Sequence, residues 1–357
     1  MTLRLGPGMG VWPRGGVDPV LAGLFARSQI AGRDGSLTIL RNTQRVCPVD
    51  GATKAATGAS AVALTSANAC TATLTGGGLS LPLFGAFGQR TNLYLNSGTP
   101  TGTQSITVAI GTVTVRVANT GGSWFVTTAA DTAVGSGFGN IFGSSTQTIT
   151  ITTAGTITVS AVGGSVAGTI QVEQASFPGP YIPTAGAAVT HDADLIDWAG
   201  FGGLSTTAGE VAAIAIPYLW SAGAGVARAG QPDATTFEGG GDLARIGAND
   251  RAFRSDVGSQ TATVSALAAT SGVVLPMSNY WDGAKLSLFR GATEAATDTT
   301  LSPPWGSVTT LRVGNSGGLN RPWSGLVGLI YVAGGMTAAE RAAFNAAFGG
   351  KTLGFVA

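Results

Sequence analysis

Chemistry on a sugar would start from acidic side chains. Glycoside hydrolysis needs two carboxylates roughly 5–9.5 Å apart across the scissile bond. The C-terminal half offers Asp192, Asp194, Asp197, Glu210, Asp233, Glu238, Asp242, Asp250, Asp256 and Asp282. Only Glu238 and Asp242 form a local pair, across Gly239, Gly240 and Gly241. Asp is also enriched in turns, where its side chain bonds the backbone two residues on. The acids are therefore read as turn residues, and no enzyme is expected. The run His191–Asp197, HDADLID, is the one compact acidic cluster. Alternation along an extended strand puts Asp192 and Asp194 on one face, where they could share Ca2+. The run has no EF-type loop, so solvated acids at a domain junction are expected, and the Ca2+ pair is the alternative. A single His excludes a His-rich metal site, and no cofactor is expected.

Aromatic rings stack on the C–H faces of sugars. Trp198, Phe201, Trp220, Tyr280, Trp281, Trp305 and Trp323 crowd the last part of a chain with few charges. Trp305 follows Ser302-Pro303-Pro304, and Trp323 closes Asn320-Arg321-Pro322, so both are expected in exposed loops. Trp305, Trp323, Asn320 and Arg321 are the glycan-binding candidates. Burial in the core or in a subunit contact is the competing reading. The glycine-rich loops match no phosphate-cradling pattern.

Composition sets the limits on partners. Of 357 residues only 10% are charged, 44% are hydrophobic and 56 are Gly, and the net charge is +1. An ordinary soluble domain carries about 25% charged residues. No basic field exists to hold nucleic acid. No run approaches the roughly 18 apolar residues of a membrane span. The start, MTLRLGPGMGVWPRGG, is too broken by Gly and Pro for a signal-peptide core. Few charges predict large apolar areas on an isolated monomer, hence a homo-oligomer: a trimer, with a pentamer as the alternative. Cys47 and Cys70 are read as free thiols, with a single bridge as the alternative.

The elements that position these residues are β-strands. Residues 1–54 hold seven basic residues against three acidic ones, whereas 55–89 carry no charge. Within that neutral stretch, ATLTGGGLSLPLF predicts two strands joined at Gly76-Gly77-Gly78. Residues 104–117, 122–128 and 147–162 alternate at period two in Val, Ile and Thr, as a pleated surface prefers. Residues 210–220, 260–267, 283–291, 308–317 and 324–335 read as further strands, and the last is apolar enough to be central. One helix follows: Thr337 as N-cap with Glu340 completes a capping box, Phe344 and Phe348 share a face, and Gly349-Gly350 stops it. The expectation is an all-β chain: an attachment region at 1–88, a small β-sandwich at 89–190, and a lectin-like jelly roll at 191–357 with one short C-terminal helix.

Two resemblances sharpen this. Arg90, Thr91, Asn92 and Leu93, with Gln171, Glu173, Tyr181, Ile182, Pro183, Thr184, Ala188, Val189, Thr190, Ala193 and Asp194, resemble the opening and closing phrases of a β-sandwich module of bacteriophage tail-fibre and other virion-surface proteins. His191 stands where that pattern has Arg. From Trp281 onward, WDGAKLSLFRG and TTLRVGNSGG…SGLVGLIYVAGGMTAAE are similar to the laminin-G and concanavalin-type jelly roll. The resemblances imply a protein of the virion surface, a fibre or spike, contacting other virion proteins and binding host-surface polysaccharide through its C-terminal sandwich. A polysaccharide depolymerase and a purely architectural capsid-decoration protein are the alternatives. Arg27, Arg33, Arg41 and Arg45 are the expected docking residues, since basic, Gly/Pro-rich segments order against acidic partners.

Overall fold

The computed structural model describes residues 16–100, 102–119, 123–128, 132–162, 168–175, 178–218, 233–237, 242–246, 249–254, 260–265, 272–299, 308–313 and 325–355. The chain is all-β, and the described residues form two short helices. Two eight-stranded antiparallel sheets form the larger sandwich. One runs Thr293–Asp298, Leu286–Arg290, Leu275–Trp281, Gly209–Pro217, Gly325–Ala333, Leu79–Ala86, Thr71–Gly76, with Gln29–Ile30 also paired to Gly325–Ala333. The other runs Gln260–Ser265, Asn249–Arg254, Asp242–Ile246, Asp233–Phe237, Thr310–Val313, Leu195–Ala199, Ser36–Leu40, Val62–Ala63.

Between them lies a core of Ile39, Ile196, Trp198, Leu311 and Val313 against Val211, Ala213, Leu288, Leu329 and Tyr331. The first sheet is buried on its outer face as well. There Ile214, Ile216, Leu326, Ile330 and Val332 meet Leu21, Leu24 and Phe25 of α1 (Pro19–Arg27) and Phe344, Ala347 and Phe348 of α2 (Ala338–Phe348). That double burial explains the unbroken apolar run from Gly325: a strand with both faces covered has no position for a solvated side chain. The expected hairpin forms, with Gly77 and Gly78 at φ +56° and +77°. The helix at Thr337 has its full capping box.

The smaller sandwich occupies the loop between Leu79–Ala86 and Leu195–Ala199. Its sheets run Val134–Ser136, Ser145–Thr153, Gly111–Asn119, Gly168–Glu173 and Gly139–Phe142, Ser123–Thr128, Gly155–Val162, Thr103–Val108. They enclose a separate core of Val113, Val115, Ile149, Ile157, Val159, Ile170 and Val172.

Three expectations need correction. The described part of residues 1–88 is not a separate domain, because Gln29–Ile30, Ser36–Leu40, Val62–Ala63, Thr71–Gly76 and Leu79–Ala86 supply strands to the large sandwich. The small sandwich is an insertion into that body. A second helix, α1, precedes it, capped by Asp18, whose side chain accepts from the Val20 and Leu21 N–H groups, with Pro19 at its start. Cys47 and Cys70 are bridged, with Cα atoms 5.2 Å apart, and both are 1% exposed in the core under the helices. Gly85 lets that bridge approach: a Cβ there would lie 2.7 Å from Cys70 Cβ.

Candidate functional site

The joint between the two sandwiches gathers the polar side chains that the sequence singled out. The strands Arg90–Asn92 and Val189–His191 pair antiparallel and carry the chain into and out of the insertion. Asn92 is fully buried. Its Nδ2 donates to Ile182 O at 2.8 Å and Ile170 O at 3.4 Å, and its Oδ1 accepts from the Tyr94 and Val172 N–H groups, both at 3.1 Å. Gln171 works likewise: Nε2 donates to Gly179 O and Pro180 O at 3.1 and 3.2 Å, and Oε1 accepts from Ile182 N at 2.6 Å. Glu173 accepts from Gly179 N at 2.6 Å. Ser97 and Thr184 exchange two backbone-to-hydroxyl bonds of 2.9 Å, and Tyr181 reaches Ser97 Oγ at 2.8 Å. Pro180 and Pro183 lack N–H donors, so this extended segment cannot join a full ladder. Side-chain amides and hydroxyls replace the missing sheet bonds. The residues that carry the phage-module resemblance are thus an internal fastener.

A buried ionic cluster adjoins it. Asp194 Oδ1 accepts from Arg41 Nε at 2.6 Å, and Oδ2 from Arg45 Nη1 at 3.3 Å and Phe87 N at 3.1 Å. Arg41, Arg45 and Asp194 are each 1% exposed. Burial pushes the Asp194 carboxyl up, but the two guanidinium groups outweigh it and hold it at about 2. Burial lowers Arg45 to about 10 against the pull of Asp194. His191, with Nε2 3.9 Å from Asp194 Oδ1, is driven down to about 3 by burial and then by Arg45. Glu173 is raised by burial, with Arg90 opposing.

These positions revise the site expectations. Arg41 and Arg45 are not docking residues: both are spent inside the fold on Asp194. Arg27 ties the helices together through Glu340 at 2.6 Å, and Arg33 bonds Asp34 and Phe25 O, yet both keep part of their surface, at 39% and 44% side-chain exposure. Asp192 and Asp194 do not share a cation site, because Asp194 is buried between guanidiniums and Asp192 is exposed. Among the described residues no group of three or more His, Cys, Asp or Glu is placed to hold a metal. Asp197 pairs with Arg312 at 2.8 and 2.9 Å, and Asp282 caps its own turn through the Ala284 and Lys285 N–H groups. Trp305, Trp323, Asn320 and Arg321 lie outside the described residues, as do Glu238, Asp256 and Trp220. Trp198 and Trp281 are fully buried, in core roles.

Three features were not foreseen. Glu210 sits inside the apolar strand Gly209–Pro217, where Arg341 of α2 binds it at 3.0 and 2.7 Å, and Ser278 Oγ and Met336 N also donate to it. An acid in so apolar a strand is itself the signal for a buried partner. The second is an open cleft of about 330 Å3 lined by Leu40, Asn42, Gly58, Ala59, Gln89, Asp192, Ala193 and Leu195. A further cleft of about 280 Å3 runs along Tyr181, Tyr218, Arg116 and the Cys47 loop, where Arg116 Nη1 donates to Tyr218 OH at 3.0 Å.

No protein-family model matches the sequence, and a search of curated proteins finds no match. Among solved structures, the binding domain of botulinum neurotoxin serotype G aligns at a TM-score of 0.33 and 7% identity, over 42% of this chain and 39% of its own. This chain therefore spans about two fifths of that structure. Mouse laminin α1 chain domains LG4-5 align at 0.28 and 8% identity, over 67% of this chain and 87% of theirs. Truncated AlyQ, with CBM32 and alginate lyase domains, aligns at 0.21 and 10% identity, over 85% and 96%. This chain is similar to these structures only at those low scores.

Proposed function

We propose that this chain is a structural protein of a bacteriophage virion surface, a fibre or spike, that binds host-surface glycan through its C-terminal sandwich. The observation that carries the reading is the joint. The residues shared with the phage module form a buried hydrogen-bond network at the base of the insertion, and the Val46 N–H donation to Tyr181 O at 3.0 Å and the Arg116 Nη1 donation to Tyr218 OH at 3.0 Å tie that base to the rest of the chain. The buried ionic cluster of Arg41, Arg45 and Asp194 adjoins it. A fastened joint suits a protein that must keep a projecting module at a fixed angle. The low charge supports assembly with other copies, as a trimer or a pentamer.

Sugar recognition is assigned to the loops bearing Trp305 and Trp323, with Asn320 and Arg321 beside the latter. A binding role is favoured over hydrolysis because Asp194, Asp197 and Glu210 are committed to arginines. Docking on the particle is assigned to the N-terminal end, where Arg27 and Arg33 keep surface exposure.

The test has three arms. Immunogold labelling of particles with an antibody to residues 191–357 should decorate the virion surface. Trp305→Ala or Trp323→Ala should weaken adsorption to host cells by about 1–3 kcal/mol per site, by analogy with base–aromatic stacking. The purified protein should release no reducing ends from host polysaccharide. Release that disappears in Glu238→Gln or Asp242→Asn would establish the depolymerase instead. Decorated particles with unchanged adsorption in both Trp variants would leave the architectural role.

A further inference from the structure

The open cleft beside the joint has the chemistry of a sugar site. Its polar wall is Asn42, Gln89 and Asp192, all exposed, and its apolar floor includes Leu40, Ala59 and Leu195. Asn42 Nδ2 donates to Asp192 Oδ2, Asp192 N returns a bond to Asn42 Oδ1 at 3.2 Å, and Gln89 Nε2 donates to Asp192 Oδ1 at 3.2 Å. The carboxylate is therefore fixed in orientation by two amides, and no cation pairs with it among the described residues.

The backbone under this wall is anchored. Asp192 lies between His191 and Asp194, both buried in the ionic cluster. Asn42 follows Arg41 of that cluster, and Gln89 follows Gly88, whose carbonyl accepts from Arg45 Nη2 at 3.1 Å. Leu40 and Leu195 are paired across two strands of the large sheet. A polar wall held from behind by buried contacts loses little freedom on binding.

The inventory of free groups selects the ligand. A carboxylate has about four lone-pair sites, and only two here are taken by amides. Each amide keeps a second N–H, and Gln89 Oε1 carries no protein hydrogen bond among the described residues. Fixed donors and acceptors side by side match adjacent hydroxyls, each of which both donates and accepts. An anion would meet Asp192 with no cation to offset it. A cation would leave the amide donors unused. The floor offers carbon to the C–H face of a ring.

We infer that this cleft binds a neutral, hydroxyl-rich ligand, one or two pyranose rings of a neutral glycan. The inference rests on the carbohydrate-binding reading above but adds a second site, at the joint. The test is calorimetric titration of the full chain with neutral trisaccharides of glucose, galactose, mannose and N-acetylglucosamine, with oligogalacturonate and spermidine as charged probes. At least one neutral trisaccharide should bind, and Asp192→Ala or Gln89→Ala should weaken it by about tenfold or more without lowering the melting temperature. The Trp305→Ala/Trp323→Ala double variant should keep this binding. If neutral sugars bind equally to Asp192→Ala, the cleft assignment is overturned while the carbohydrate reading stands. Binding of oligogalacturonate or spermidine alone would also overturn it. If no probe binds, the cleft assignment falls, and host-cell adsorption in the Trp variants then decides the wider reading separately.

Discussion

At the scale of single residues, Asn92 and Asp194 carry the largest consequences. Asn92 satisfies backbone groups from three separate stretches of chain with one amide. Asn92→Ala should leave buried carbonyl and N–H groups unpaired and cost about 2–4 kcal/mol, read by urea denaturation. Asn42→Ala, at an exposed position, should change stability by less than about 0.5 kcal/mol. Asp194→Asn strands two buried guanidiniums and should cost about 3–5 kcal/mol. The same cluster sets an acid response. His191 falls from 6.5 to about 3 on folding, so between those values the unfolded chain holds a proton that the folded chain does not. Asp194 falls from 3.8 to about 2, which continues the same sign at lower pH. Stability therefore drops as pH falls from 6.5 toward 3, at up to about 1.4 kcal/mol per pH unit for the one His191 proton. Glu173, raised by burial, acts in the opposite sense above 4.5. Thermal melts across this range should show the slope, and His191→Gln should flatten it above pH 4. A His191→Gln slope as steep as the wild type would refute the assignment.

At the scale of elements, two devices hold the helices and loops on the outer sheet face. The Cys47–Cys70 bridge closes a loop across a separation of 23 residues. Its removal by Cys47→Ser/Cys70→Ser should cost about 3 kcal/mol, chiefly by freeing the unfolded chain, and denaturation with and without reductant should show the same loss in the wild type. The α2 helix is pinned by Arg341, whose guanidinium binds Glu210 and lies 3.9 Å from the Phe289 ring centroid. Arg341→Ala leaves Glu210 buried and unpaired, and should cost about 3–5 kcal/mol, whereas Thr337→Ala, which removes only the cap, should cost about 1 kcal/mol. The capping box was legible from Thr337 and Glu340 alone because it is local. The first helix was also signalled, by Asp18-Pro19 before an apolar run, but its short length hid it among Gly and Pro.

At the scale of the whole molecule, the insertion of one sandwich into another dictates how the chain tolerates truncation. Removing residues 1–54 would delete Ser36–Leu40, Gln29–Ile30, Arg41, Arg45 and Cys47 together. That truncation should unfold the large sandwich, seen as loss of protease resistance and of the cooperative melt. On the docking proposal, Arg27→Ala/Arg33→Ala should weaken incorporation into particles while the protein still melts cooperatively. The oligomer expected from the low charge is checked by solution mass: a monomer at micromolar concentration would contradict it.

Local patterns were enough to determine the class of the protein. Period-two runs of Val, Ile and Thr, the Gly76–Gly78 turn and the unbroken apolar strand at Gly325 each depend on neighbours in sequence, so the all-β architecture could be read directly. Tertiary structure alone decided which sheet each strand joined, because pairing such as Ile196 with Ile39 spans the whole insertion. It also decided the fate of the charges. Arg41, Arg45 and Asp194 look like surface residues one by one, and only folding brings 41–45 against 194 and removes all three from water. The bridge between Cys47 and Cys70 and the cleft formed by Asn42, Gln89 and Asp192 arise the same way. Each joins residues whose proximity costs loop-closure entropy that no local pattern encodes.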